Sequence, residues 1–356
     1  MQKLQLKTIK LQAKIITPIH IDNWEVLDRI DYFYFDGFDE IQVLDRKWLV
    51  FCAKKDNELF TKIINSIENR DFKELEDLKK IFYNNYIEDF INKYWIKGEI
   101  KIWEQAKKSL LQTWNRNNLW EIKSFSRFWI DKELFIPGST LKGLFRSISL
   151  FSKISEVNSY SREKKEKYLE NLNSWDAFKE TFSFLGFEDI NINSLNNNLE
   201  IQEVSSKNKP LKLWMPLRKW INQVMEVITN GQFIININDL NSKISNEKLN
   251  EMLKKYSNKL ISREWQILDN IWFRRNFIDQ LEDYYKNWYF PIKIWMFKKS
   301  LAYKLFWEEM IEELNEDFSW KERLKEAQKK WIWDKMIYLD ENENPIWWIA
   351  IKILDN

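Results

Sequence analysis

Between residues 133 and 151 the spacing of apolar side chains changes from a period of two to a period of about 3.6 across one Pro-Gly step. Glu133–Ile136 reads as a strand, and Pro137-Gly138 forces a turn. Ser139 or Thr140 can then cap a helix on which Leu141, Leu144, Phe145 and Ile148 share one face. A strand running directly into an amphipathic helix requires a sheet with a helix layered on it. Other segments repeat the theme. Ile9, Leu11, Ala13 and Ile15 alternate with Lys10, Gln12 and Lys14 in a strand placed within 3–21 and ended by Pro18. Strands are also expected at 30–35, 41–44, 232–237, 335–339 and 346–353, with a turn at Asp36-Gly37. Residues 57–112 carry helical spacing, first in Leu59, Ile63, Ile64 and Ile67, then in Leu75, Leu78, Ile81 and Phe82. Further helices are expected at 214–230, 244–284 and 302–330, and a flexible Asn/Ser-rich segment at 188–210. Strand–helix units in both halves, with strands at both ends, predict an α+β architecture with two sheets.

The chain has 356 residues, enough for two or three domains. Its 56 basic and 54 acidic residues leave a net charge of +2, so any polyanion site has to come from local clustering. One cysteine, Cys52, excludes an internal disulfide and a cysteine-based metal site, and fits a reducing cytoplasm. One histidine, His20, excludes a mechanism with two imidazoles. No apolar run is long enough for a membrane span, and Met1–Lys7 lacks the apolar core of a signal peptide.

Tryptophan and glycine are out of proportion: 20 Trp stand against 6 Gly. Ordinary usage, about 7% glycine, would give roughly 25 in this length. Asn23-Trp24 and Asn287-Trp288 look like Asn-Gly hairpin turns with the second residue replaced, and Ser319-Trp320-Lys321 places an indole in a polar stretch. One reading is that many of these tryptophans are UGA codons decoded as glycine in the source organism. The other is a truly Trp-rich protein whose aromatics stack on bases.

Chemistry concentrates at residues 137–146. The helix start offers free N–H groups and a positive dipole end, a seat for phosphate. Lys142 and Arg146, four apart, fall together on the face opposite the apolar one, and Gly143 leaves room for a backbone to approach. The spacing is not that of a Walker loop. An ordinary capped helix with a solvated basic face is the alternative. His20 could act as general base on a 2′-hydroxyl, but an Ile-His-Ile run after Pro18 reads as a packed histidine. Asp22, Asp28 and Asp31 could hold a magnesium ion, although solvated turn acids are commoner. Arg218, Lys219, Arg274, Arg275, Lys293, Lys298 and Lys299 could extend a basic track. Tyr32, Phe33, Tyr34 and Phe35 could stack bases, with sheet core as the default.

The run Pro137-Gly138-Ser139-Thr140-Leu141-Lys142-Gly143 with Arg146 resembles the PGSSxKGxxR signature of the RAMP proteins of type III CRISPR systems, with Thr140 in place of the second Ser. Thr17–Trp24 resembles their opening TPxHIGxG, with Asp22 at the first Gly and Trp24 at the second. Ile294–Ser300 is similar to a late glycine-rich loop, and Pro345-Ile346-Trp347-Trp348-Ile349 to a closing PLGWV strand. Order and helical insertion are most similar to the III-A (Csm) subunit at the 3′ end of the guide RNA. The resemblance implies two ferredoxin-like, RRM-related domains, 1–185 with a helical insertion at about 55–112, and 186–356. It implies a non-catalytic, cytoplasmic subunit without a cofactor. That subunit would bind crRNA, cap the backbone filament and support crRNA maturation in antiviral defence. Implied partners are crRNA and other Csm-complex RAMP subunits, extending to target RNA and host ribonucleases. The implied RNA-binding residues are Gly138, Ser139, Thr140, Lys142, Gly143, Arg146, Lys298 and Lys299. The alternative is a RAMP endoribonuclease, cutting crRNA precursor with His20 or target RNA with a metal at Asp22, Asp28 and Asp31.

Overall fold

The computed structural model describes residues 7–34, 39–86, 88–89, 96–111, 121–127, 133–152, 185–208, 219–240, 244–268, 275–294 and 336–354. The terminal alternation seen in sequence becomes the centre of the fold. β1 (Lys7–Ile15), β8 (Leu185–Phe187), β12 (Gln232–Asp239), β13 (Phe290–Lys293) and β15 (Trp348–Ile353) form a five-stranded sheet in the order β13-β15-β1-β12-β8. β1 is antiparallel to both neighbours, with Leu11 opposite Ile235 and Ile353, and Ala13 opposite Phe233 and Ile351. Ile9, Leu11, Ala13 and Ile15 are buried in the main core. Helices α5 (Gly138–Ser152) and α6 (Asn246–Leu268) pack on each other, α5 also on β8 and α6 on β13. α7 (Arg275–Lys286) follows and packs on α6 and β13.

The second sheet has eight strands. β2 (Asp22–Leu27), β6 (Ile122–Phe125), β11 (Lys219–Ile228), β10 (Leu199–Asn208), β5 (Ile96–Ile102), β4 (Glu40–Leu44) and β3 (Tyr32–Phe33) run in that order, and β14 (Met336–Leu339) adds to β10. β7 (Phe135–Ile136) pairs with β9 (Ile190–Asn191) in a small third sheet. The architecture is mixed α/β with several sheets. Both large sheets take strands from both sides of residue 185, so the two halves of the sequence interleave.

The helical insertion begins earlier than its periodicity suggested. α1 (Lys47–Lys55), α2 (Asn57–Glu68) and α3 (Phe72–Asn85) enclose a separate core of Phe33, Leu44, Trp48, Cys52, Leu59, Ile63, Leu75, Leu78 and Phe82. Asp56 and Asp71 start α2 and α3 by accepting the N–H groups of Leu59 (2.9 Å) and Glu74 (3.0 Å). The trio is tied to the sheet by Lys79, whose buried ammonium donates to the Arg29 carbonyl (2.8 Å) and to Glu76 (2.9 Å). The region expected as helix up to 112 contains β5 before α4 (Glu104–Leu111), because Ile96, Gly98, Ile100 and Ile102 alternate with charged residues.

Three other expectations are corrected. The helix expected at 214–230 is β11: Val224–Ile228 is a continuously buried run between β10 and β6, a pattern without a period of its own. The flexible segment expected at 188–210 is largely ordered, with a 3₁₀ turn at Asn193–Asn198 and β10 after it. Asn23-Trp24 lies within β2 rather than in a hairpin turn. The helix expected at 302–330 lies outside the described residues.

Candidate nucleic-acid interface

α5 carries the basic motif, and its burial follows its apolar spacing. Leu141, Leu144, Phe145 and Ile148 are buried, while Ser139 and Lys142 are exposed and Thr140, Gly143 and Arg146 are half-buried. The structure therefore brings Ser139, Thr140, Lys142 and Arg146 together on the first two turns of one helix that is anchored along its other face.

Gly138 serves a different purpose from an open phosphate seat. Its N–H donates to the Asp189 carboxylate at 2.7 Å, so one of the helix's free N–H groups is already taken. A Cβ at Gly138 would stand 2.2 Å from the Phe187 carbonyl oxygen, so glycine is required for the β8–β9 turn to pass over the helix start. Pro137 opens the helix, its carbonyl accepting from the Thr140 N–H at 2.8 Å. Lys298 and Lys299, with Arg218 and Arg274, lie outside the described residues.

The residues of the catalytic alternative are used structurally. His20 is fully buried. Its Nδ1 lies 2.7 Å from the Glu226 carbonyl oxygen, to which a protonated Nδ1 donates, and Phe125 packs edge-on at 6.2 Å. Burial lowers its pKa, opposed by the Glu226 carbonyl and by the charges of Asp22 and Glu226. Asp31 is buried and receives Arg46 through Nε (2.6 Å) and a terminal nitrogen (2.8 Å). It also accepts from the Asp28 N–H at 3.0 Å, while Asp28 accepts from the Arg29 N–H at 2.7 Å, a reciprocal cap on a single 3₁₀ turn. Asp22 opens β2, paired with Phe125. Among the described residues no three His, Cys, Asp or Glu side chains are grouped so as to hold a metal. Tyr32 and Tyr34 lie in the main core and Phe33 in the helical one, so these aromatics pack rather than present a stacking platform.

One group was not legible in the sequence. Glu226 is fully buried and receives Arg127 through two nitrogens (2.6 and 2.8 Å) and the Phe125 N–H (2.7 Å). It locks β11 to β6 and, through its carbonyl and His20, to the segment after β1.

No protein-family model matches the chain. It is 27% identical over 285 residues to the CRISPR system Cms protein Csm5 of Methanocaldococcus jannaschii, a match covering 74% of this chain and 60% of that protein. A chain of the cryo-EM structure of a Csm–crRNA–target RNA ternary complex from a type III-A CRISPR-Cas system superposes with a TM-score of 0.61 at 16% identity, covering 97% of this chain and 100% of that one. The crystal structure of T. onnurineus Csm5 superposes with a TM-score of 0.57 at 13% identity, covering 95% and 99%. At such identities the structural likeness speaks for the fold, and the sequence relative and the motifs speak for the family. Together these likenesses support a RAMP-like subunit of the type III-A CRISPR Csm kind.

Proposed function

We propose that the chain is a non-catalytic guide-RNA-binding subunit of a type III-A CRISPR ribonucleoprotein. It caps the backbone filament near the crRNA 3′ end and supports crRNA maturation. The observation that carries this reading is the exposed Lys142 beside exposed Ser139, on a helix whose opposite face is fully buried. A helix fixed in this way holds its hydroxyls and cations against a sugar-phosphate chain with little ordering left to do on binding. Support for the partner comes from the fold's likeness to a chain of a complex that contains crRNA and target RNA. The division implied by the motifs is two ferredoxin-like units, 1–185 with the helical insertion and 186–356, whose strands meet in each large sheet.

The test is equilibrium binding of crRNA to the purified chain across a salt series. Lys142→Ala/Arg146→Ala weakens binding at least tenfold and flattens the salt dependence, since each lost phosphate contact removes about 0.7 from the logarithmic slope for single strands. Unchanged affinity and slope in that variant would overturn the assignment. Incubation with crRNA precursor and target RNA, with magnesium or with chelator, leaves both intact. Cleavage that disappears in His20→Ala or Asp31→Ala would establish the endoribonuclease reading instead.

A further inference from the structure

We propose that the open face of the five-stranded sheet is a second RNA surface, which takes the phosphates of a single-stranded segment on Lys10, Lys14 and Lys352. This deepens the function proposed above and rests on it. The alternation that buries Ile9, Leu11, Ala13 and Ile15 turns Lys10, Gln12 and Lys14 to the opposite face. The register sets Gln12 between Ile234 and Lys352, Lys14 between Gln232 and Ala350, and Lys10 beside Asn236. Lys10 and Gln232 are exposed, Ile234 is 41% exposed, and Gln12, Lys14 and Lys352 are half-buried, so among the described residues this face is open to solvent along β1 and β12.

Tyr289 organises the charge. The Lys14 and Lys352 ammoniums lie 4.4 and 5.4 Å from its ring centroid, and its hydroxyl donates to Gln12 at 2.8 Å. Two like charges are thus gathered on one ring, held by its quadrupole. None of Lys10, Lys14 and Lys352 forms an ion pair among the described residues. On this face a carboxylate, Glu188, stands by the far β8 edge, where Asn236 (3.4 Å) and Asn238 (2.7 Å) hold it. A cationic strip whose three lysines form no ion pair among the described residues, flanked by the amides of Gln12 and Gln232, suits phosphates with sugar or base edges beside them. Among the described residues Ile234 is the one large aliphatic side chain of the strip that is exposed, which falls short of the apolar centre that a protein partner would call for.

The test uses the full chain and a fluorescein-labelled single-stranded poly(U) RNA. Lys10→Ala/Lys14→Ala/Lys352→Ala lowers affinity at least tenfold and the salt slope by about 2, with the thermal midpoint unchanged. Wild-type affinity and slope in this variant, while Lys142→Ala/Arg146→Ala loses binding, would overturn this surface and leave the function standing. Absence of RNA binding by the wild-type chain would overturn both. Normal RNA binding combined with loss from the assembled Csm complex would make the face a protein contact and overturn the assignment.

An independent observation concerns tryptophan. We infer that positions 288 and 347 carry glycine in the protein as its source organism makes it. α7 ends in a Schellman motif: the Tyr289 N–H bonds the Tyr284 carbonyl (3.0 Å) and the Trp288 N–H the Tyr285 carbonyl (3.2 Å). The residue between cap and second bond is Trp288, at φ +60 and 60% exposed, where glycine is the usual occupant. Trp347 has φ +73. Arg70 (φ +55) and Glu343 (φ +61) show that other side chains are also held in this region. Yet among the described residues two of the four non-glycine residues there are Trp, although Trp makes up 20 of 356 residues in the sequence. Trp347 is buried against Tyr338, so only its backbone sets it apart from Trp48, which lies within helix α1 and donates its indole N–H to the Ile30 carbonyl at 3.0 Å. UGA at codons 288 and 347 and UGG at codon 48, with glycine masses in the native peptides, is the expected result. In recombinant protein Trp288→Gly raises the unfolding midpoint and Trp48→Gly lowers it sharply. UGG at 288 and 347 would overturn the inference.

Discussion

Burial decides what the ionisable side chains of this chain do. Glu226 and Arg127 are 99 positions apart, and nothing in Asn222–Ile228 announces that its glutamate is interior, because an isolated carboxylate in an apolar run carries no sign of its partner. Arg127→Met leaves that carboxylate buried and unpaired, which costs about 3–5 kcal/mol. Urea unfolding measures it, and a loss below about 1 kcal/mol would mean the pair is solvated. His20 was legible, since an imidazole between two isoleucines after a proline has little but backbone to bond. Its folded pKa lies below the ordinary value of about 6.5. The unfolded chain therefore binds the proton first, and the contribution of His20 to stability is complete above about pH 6.5 and is lost as pH falls through the folded value. Asp22, Glu226 and Lys123 face it. The thermal midpoint of the wild type falls more steeply below pH 6.5 than that of His20→Gln, and parallel profiles would contradict this.

At the scale of elements, strands with one buried face were readable and strands buried on both were not. β1 and β12 alternate cleanly, as Phe233, Ile235 and Ile237 show, whereas β11 has five consecutive buried residues that no period identifies. The trio α1–α3 was readable as helix because Leu59, Ile63, Leu75, Leu78 and Phe82 keep the helical spacing. Its own core was not, since Phe33 and Leu44 enter it from strands. Cys52 reports on that core. Burial and the neighbouring Asp56 push its thiol up to about 11, so it reacts with disulfide reagents at pH 8 only when the trio opens. Phe82→Ala creates a cavity costing about 3–5 kcal/mol and exposes the thiol, so thiol labelling accelerates with the loss of stability. Rapid labelling of the native wild type would contradict a closed trio.

Across the whole molecule, the interleaving of the two sheets makes the motif helix α5 part of the main core, and this separates what sequence could and could not supply. The Pro137–Arg146 run located the basic helix. That its glycine is required by the Phe187 backbone, and that Asp189 takes an N–H, depended on a turn about fifty residues downstream. The lysines of β1 were visible as the polar half of an alternation, but the Tyr289 that gathers two of the face's ammoniums comes from the far end of the chain. The most direct test of the central claim is a photo-crosslink from a benzophenone amino acid placed at Ser139 within the assembled Csm complex. An RNA-facing α5 yields an adduct with crRNA near its 3′ end. Adducts with protein subunits alone would contradict it.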